Sequence, residues 1–394
     1  MQMSINNHTS LQNITNTQPR RVVIIQRRLT HYRVPFFELL RDELASKKIE
    51  LELCVGQATL KEQTKNDEGT IVWAKPIKTL YFFNDQLCLQ YFSRHLSNAS
   101  LVIITQENKL LSNLFLLFTL PLRSFKLAFW GHGANLQSTR PNGLKEKFKK
   151  WTTKKVHWWF AYTTLSANLI KNDGYNPDQI TVLNNSINTT HLKRLAKAVS
   201  ASEIQNLRDS LGLNTDKVGV FIGSFYADKR LDFLFSAAEL IHNQISDFRL
   251  LLIGDGTDRD KVLAFCDTHP WARYVGVKKD QEKAQHLALA QLMLNPGLVG
   301  LNILDSFSCG IPLITTDCGL HSPEVSYLQN NINGVMTDDD ISIYSQKVIE
   351  LLQNPDQIDT LRMGCHNSAE EYTLENMVKN FAEGIVKCLS HSKS

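Results

Sequence analysis

The sequence predicts an α/β protein made of two doubly wound parallel-sheet domains facing each other across a cleft. Three observations lead there. The chain has 394 residues, which exceeds one ordinary hydrophobic core and favours two. Short apolar runs alternate with helix-like stretches, the pattern of a parallel sheet covered on both faces. That alternation begins a second time halfway along the chain.

In the first half, Val22, Val23, Ile24 and Ile25 form a continuous apolar run suited to a strand buried on both faces. A loop over residues 27–33 follows, then a helix over 34–44 carrying Phe36, Phe37, Leu39 and Leu40. Further strand-like runs occur at 49–55, 101–105, 126–130, 158–162 and 179–183, with helical segments between most of them. A polar helical stretch at 190–211 precedes the restart: a strand at 218–222, a helix at 231–243, a strand at 248–253, and strands at 292–294 and 312–315. The predicted organisation is a polar disordered tail over 1–19, a first domain over 20–190 and a second over 191–373. A last helix over 374–394 has the option of crossing back onto the first domain.

Composition narrows the classes. Hydrophobic residues at 43% and charged residues at 21% describe a globular protein. The longest apolar stretch, 110–122, is interrupted by Ser112, Asn113 and Thr119 and falls short of the ~20 residues of a membrane span. The first 19 residues lack the charged-then-apolar layout of a signal peptide. Seven cysteines are scattered without any C-x-x-C, so neither a disulfide framework nor a zinc site is indicated and a reducing cytoplasm is expected. Residues 1–190 hold 24 Lys and Arg against 13 Asp and Glu, whereas the remainder is net acidic. Only the first domain is therefore expected to meet an anionic partner.

The richest chemistry lies in 296–316. Pro296, Gly297, Gly300, Leu301 and Asn302 make a Gly-rich loop after a short apolar strand, leading into a helix that carries Asp305 and then a Gly310-Ile311-Pro312 turn. Backbone amides at such a helix start favour an anion such as a phosphate, and a carboxylate nearby can accept two hydroxyl hydrogen bonds, as from a ribose. Gly223, Ser224, Lys229 and Arg230 likewise follow a strand and open a helix. They suit phosphate capture, although solvated cations in a plain loop are the alternative. Gly254 and Gly256 end another strand, where a tight turn explains them equally well; Val275 and Gly276 could pack against a base or simply close a strand. His132 stands between Gly131 and Gly133 at a strand end, and His31, Tyr32 and Arg33 follow the first strand.

The 296–316 segment resembles the donor-site signature of retaining glycosyltransferases of family 4, in which a Pro-Ser/Gly loop leads to an acidic residue before a small-residue-Gly-x-Pro turn. The octet 223–230 looks like the same family's Gly-basic-Lys signature, with Lys229 matching the lysine and Ser224 replacing the usual arginine, for which Arg230 is the substitute. The resemblance implies a GT-B fold of two Rossmann-like domains, acceptor in the first and nucleotide-sugar in the second. It implies donor contacts from Gly223, Ser224, Lys229, Arg230, Gly254, Gly256, Val275, Gly276, Gly300, Leu301, Asn302 and Asp305. It makes His132, beside the transferred sugar, and Asp305, on the ribose, the catalytic-site pair, with His31, Tyr32 and Arg33 positioning the acceptor. Positive groups at the diphosphate make a metal unnecessary, and no other cofactor is implied. Many members carry a Glu eight residues before the acidic residue; here that position is Gly297. The resemblance is good over 215–340 and looser before it.

A basic, aromatic segment holds Lys145, Lys147, Lys149, Lys150, Trp151, Lys154 and Lys155. It reads as a solvated helix face or as a dock for an anionic membrane surface; no motif supports nucleic acid. Asp338, Asp339 and Asp340 read as a helix N-terminal cluster. The function so implied is retaining transfer of a sugar to a glycan or lipid-linked acceptor in cell-surface polysaccharide synthesis, by a cytoplasmic enzyme at the inner face of the membrane. Two rivals are a non-catalytic sugar-nucleotide or polysaccharide binder and a nucleotide-dependent oxidoreductase. The latter lacks a G-x-G-x-x-G after either first strand.

Overall fold

The computed structural model of the chain describes residues 20–64, 67–107, 109–133 and 151–392. Two parallel sheets dominate. The strands of the first half are β1 at Arg20–Gln26, β2 at Ile49–Val55, β3 at Lys75–Pro76, β4 at Thr79–Phe82, β5 at Leu87–Gln90, β6 at Leu101–Thr105, β7 at Lys126–Gly131, β8 at Trp158–Ala161 and β9 at Ile180–Val182. Seven of them form one sheet in the order β3-β2-β1-β6-β7-β8-β9, while β4 and β5 pair as a small antiparallel hairpin. The second half supplies β10 at Val218–Ile222, β11 at Arg249–Ile253, β12 at Ala272–Tyr274, β13 at Leu292–Leu294, β14 at Leu313–Thr316 and β15 at Gly334–Thr337. They form the second sheet in the order β12-β11-β10-β13-β14-β15.

Alternation along the central strands feeds two apolar layers per sheet, because successive side chains point to opposite faces. Val22 and Ile24 join Phe36, Leu40 and Leu53 on one side of the first sheet. Val23 and Ile25 join Val102, Leu127 and Trp159 on the other. The second sheet is built the same way, with Phe221 and Leu252 on one face and Val220 and Leu251 on the other.

The stretch read from sequence as one polar helix is two, Thr189–Ala198 and Ala201–Ser210. Ser200 divides them. Its hydroxyl accepts from the Glu203 amide while the Glu203 carboxylate accepts from the Ser200 amide, a reciprocal cap that starts a new helix. Both helices lie against the second domain: the first on helices Asp280–Leu287 and Asn302–Cys309, the second on Asp280–Leu287. The last helix, Leu374–Ser390, packs instead on the first domain's helix Val34–Ser46. It places Met377, Phe381 and Ile385 in the first domain's core.

In each sheet the strand order reverses at its first strand, between β1 and β6 and between β10 and β13. Ligands of open α/β sheets bind outside the carboxyl ends of the strands at such a reversal.

Candidate active site

The carboxyl ends of β10, β11 and β12 are laced together. The Gly223 amide donates to the Ile253 carbonyl, the Phe225 amide to that of Asp255, and the Gly254 amide to that of Gly276. A β-carbon at Gly254 would stand 1.8 Å from the Gly223 carbonyl oxygen, and one at Gly256 2.2 Å from that of Phe225. Close backbone approach therefore accounts for both glycines. Val275 packs on the second domain's core, and Ser224 is exposed in the loop after β10.

Lys229 is buried, and its Nζ donates to the Leu298 carbonyl at 2.5 Å. Burial pushes its ammonium down to about 8. The loop that opens helix Asn302–Cys309 is thus fastened to the β10 loop, a second tie being the Leu298 amide on the Asp228 carbonyl at 2.8 Å. Gly297 permits this approach: its β-carbon would meet the Asp228 oxygen at 2.4 Å. Arg230 adopts a left-handed backbone (φ 54°). Its guanidinium pairs with Asp339, reaches Thr316 Oγ1 at 3.2 Å and stacks over Phe233. The structure thus gives Arg230 a bracing role within the second domain. Asp340 caps helix Ile341–Leu352, so of the three consecutive aspartates one caps and one holds Arg230.

The loop's amides are mostly committed inside the protein. Leu298 donates to Asp228, Val299 to His321 Nδ1 at 3.1 Å and Gly300 to Asn302 Oδ1 at 3.1 Å. An anion arriving here meets the first turn of the helix, at Leu301 and Asn302. Asp305 is buried on that helix, and Lys283 Nζ donates to its Oδ1 at 2.6 Å. Lys283 belongs to helix Asp280–Leu287, a segment whose polar sequence carries no motif, so its role as partner of Asp305 becomes visible only in three dimensions.

On the first domain, His132 lies exposed at the end of β7, its ring 4.4 Å from that of Tyr162. The Arg33 guanidinium lies 5.8 Å from the Tyr162 ring and 5.5 Å from Trp130. Arg33 is buried and donates to Asn185 Oδ1 at 2.6 Å, and Asn185 Nδ2 donates to Glu324 Oε1 at 2.5 Å. Burial pushes the Glu324 carboxyl up. Of the three residues expected to position an acceptor, Arg33 is therefore enclosed in an interdomain contact. His31 and Tyr32 are at the surface. The neighbouring cations are paired: Arg27 with Glu62 at 2.6 Å and Arg28 with Asp67 at 2.7 Å.

Among the described residues one cluster, Glu52, Cys54 and His95, brings possible metal ligands together. Arg21 donates to Glu52 and Arg94 to His95 Nε2, so guanidinium groups already compensate it. All seven cysteines are free.

Comparison with known proteins agrees with the fold. Residues 216–354 match the family model of glycosyl transferases group 1. Alpha-monoglucosyldiacylglycerol synthase of Acholeplasma laidlawii is 23% identical over 219 residues, covering 54% of this chain and 52% of that protein. The chain thus spans about half the length of this curated relative. Among solved structures, Anabaena HepE in complex with UDP superposes with a TM-score of 0.68 at 12% identity, covering 93% of this chain and 99% of that one. A glycosyltransferase from Rickettsia africae gives 0.68 at 13% identity, covering 95% and 99%. The fold is that of the GT-B structures, and residues 216–354, most of the second domain, are similar to the glycosyl transferases group 1.

Proposed function

We propose that the protein transfers a sugar from a nucleotide-sugar to a glycan or lipid-linked acceptor, with retention at the anomeric carbon. The observation that carries this reading is the tied pair of loops at the β10–β13 reversal, where Lys229, the start of helix Asn302–Cys309 and buried Asp305 belong to one assembly. Lys229 and the first-turn amides of Leu301 and Asn302 stabilise the negative charge that grows on the diphosphate as the sugar leaves. Asp305, steadied by Lys283, accepts from the ribose. His132 stands on the first domain's side, where the sugar and acceptor meet. UDP, bound by the Anabaena relative, is the first nucleotide to test. The acceptor's class and an anionic membrane surface at the basic segment complete the proposal; residues 145–150 of that segment lie outside the described residues.

The test is transfer of a radiolabelled sugar by wild type and His132→Ala. Turnover should fall in the variant by far more than nucleoside diphosphate affinity. Equal loss of both would remove His132 from the reacting end of the site.

A further inference from the structure

Helix Leu111–Thr119 and the turn Leu120–Leu122 are apolar on two sides. Leu116 and Leu117 face inward, into the layer with Val102, Leu127 and Trp159. Phe115, Phe118 and Leu122 face outward, with 57%, 66% and 87% of their surface exposed. Trp151 extends the patch, its ring 5.9 Å from Phe118. Helices apolar all round are ordinarily buried, and a contiguous exposed apolar patch marks a contact surface. Cations border it: the Arg123 guanidinium is 5.9 Å from the Phe115 ring and Lys155 Nζ 5.1 Å from the Trp151 ring. Exposed Lys154 stands beside them, and Lys154 and Lys155 share a cavity of about 480 Å³ with Trp151, Asn172 and Asp173.

We propose that this face docks the protein on an anionic lipid bilayer, with Phe115, Phe118, Leu122 and Trp151 entering the headgroup–acyl boundary and Arg123, Lys154 and Lys155 meeting lipid phosphates. The inference deepens the reading of a membrane-associated acceptor and rests on it for its purpose. Apolar side-chain tips bordered by cations suit an interface that is apolar inside and anionic at its rim. A second copy of the chain is the poorer occupant, because self-association would bring Arg123, Lys154 and Lys155 toward their own counterparts. Among the described residues no helix is long and apolar enough to cross a membrane, so the contact is with the bilayer's surface.

Flotation of the full chain with phosphatidylcholine vesicles, with and without phosphatidylglycerol, tests this in the absence of any nucleotide. Wild type should float with the anionic vesicles at low salt. Phe118→Ser with Leu122→Ser should weaken partitioning roughly tenfold or more, because two apolar side chains lose their burial. Lys154→Gln with Lys155→Gln should weaken the preference for anionic lipid and its salt dependence. Unchanged circular dichroism verifies folding, and nucleoside diphosphate affinity should be unchanged in both variants, which separates this test from that of the transfer reaction. Wild type that stays in solution, variants that float as well as wild type, or a loss of self-association without lipid binding would each overturn the proposal.

Discussion

Lys229 combines burial with charge, and the two have opposite pH consequences. Its ammonium is held at about 8 against an ordinary 10.5. Between those values the unfolded chain binds a proton that the folded chain does not, so stability rises with pH across that window. Binding runs the other way: a diphosphate needs the ammonium, and its affinity should fall as pH rises through about 8. Calorimetric titration should show Lys229→Met losing that dependence and about 1.5–3 kcal/mol of binding, the worth of a charge-assisted hydrogen bond. A variant with wild-type affinity would remove Lys229 from the anion site. At this scale Lys229 and Asp305 are picked out as candidates by the sequence, because they stand beside glycine turns at strand ends, and the structure places both on the tied loops of the second domain. Lys283 stays hidden there and Arg230 looks available, since neither partner, Asp305 or Asp339, is near in sequence.

The two loops illustrate how glycine positions divide between packing and ligand. Gly297 lies against the Asp228 and Lys229 backbone at distances a β-carbon cannot share. Gly297→Ala should therefore cost about 1–3 kcal/mol of stability, as overpacking does, and weaken nucleotide binding by moving Lys229. Gly300→Ala meets nothing nearer than Ser322 Oγ at 3.7 Å and should unfold close to wild type. Thermal unfolding of the pair tests the distinction, and equal melting temperatures would contradict it. The strands of the central sheets are legible from their apolar runs, whereas two-residue β3, the hairpin and β15 are not. Short edge elements have too few residues to show a period.

Across the whole molecule, the chain's end belongs to the first domain. Phe381 lies fully buried, stacked on Phe160 at 4.5 Å and close to Trp130 at 5.1 Å. Phe381→Ala should cost about 3–5 kcal/mol in chemical denaturation. A loss under about 1 kcal/mol would mean that the helix is only loosely docked. The Arg33–Asn185–Glu324 contact ties the domains again, from the turn after β1 to the segment in which His321 accepts from the Val299 amide. Two alternating halves make the domain plan readable from sequence. Contacts between residues as distant as Asn185 and Glu324 have no local signature, so the interdomain link emerges only from the fold.

The central claim is that Asp305 and the loops beside it hold a nucleoside diphosphate. Titration of wild type and Asp305→Asn with UDP and the other nucleoside diphosphates, with melting temperatures measured alongside, tests it most directly. The account predicts that one nucleotide binds wild type and that Asp305→Asn keeps its fold while losing most of that affinity, an amide being a poorer double acceptor for ribose hydroxyls. An Asp305→Asn protein that loses stability yet binds the nucleotide as wild type does would make Asp305 a structural partner of Lys283 and contradict the account.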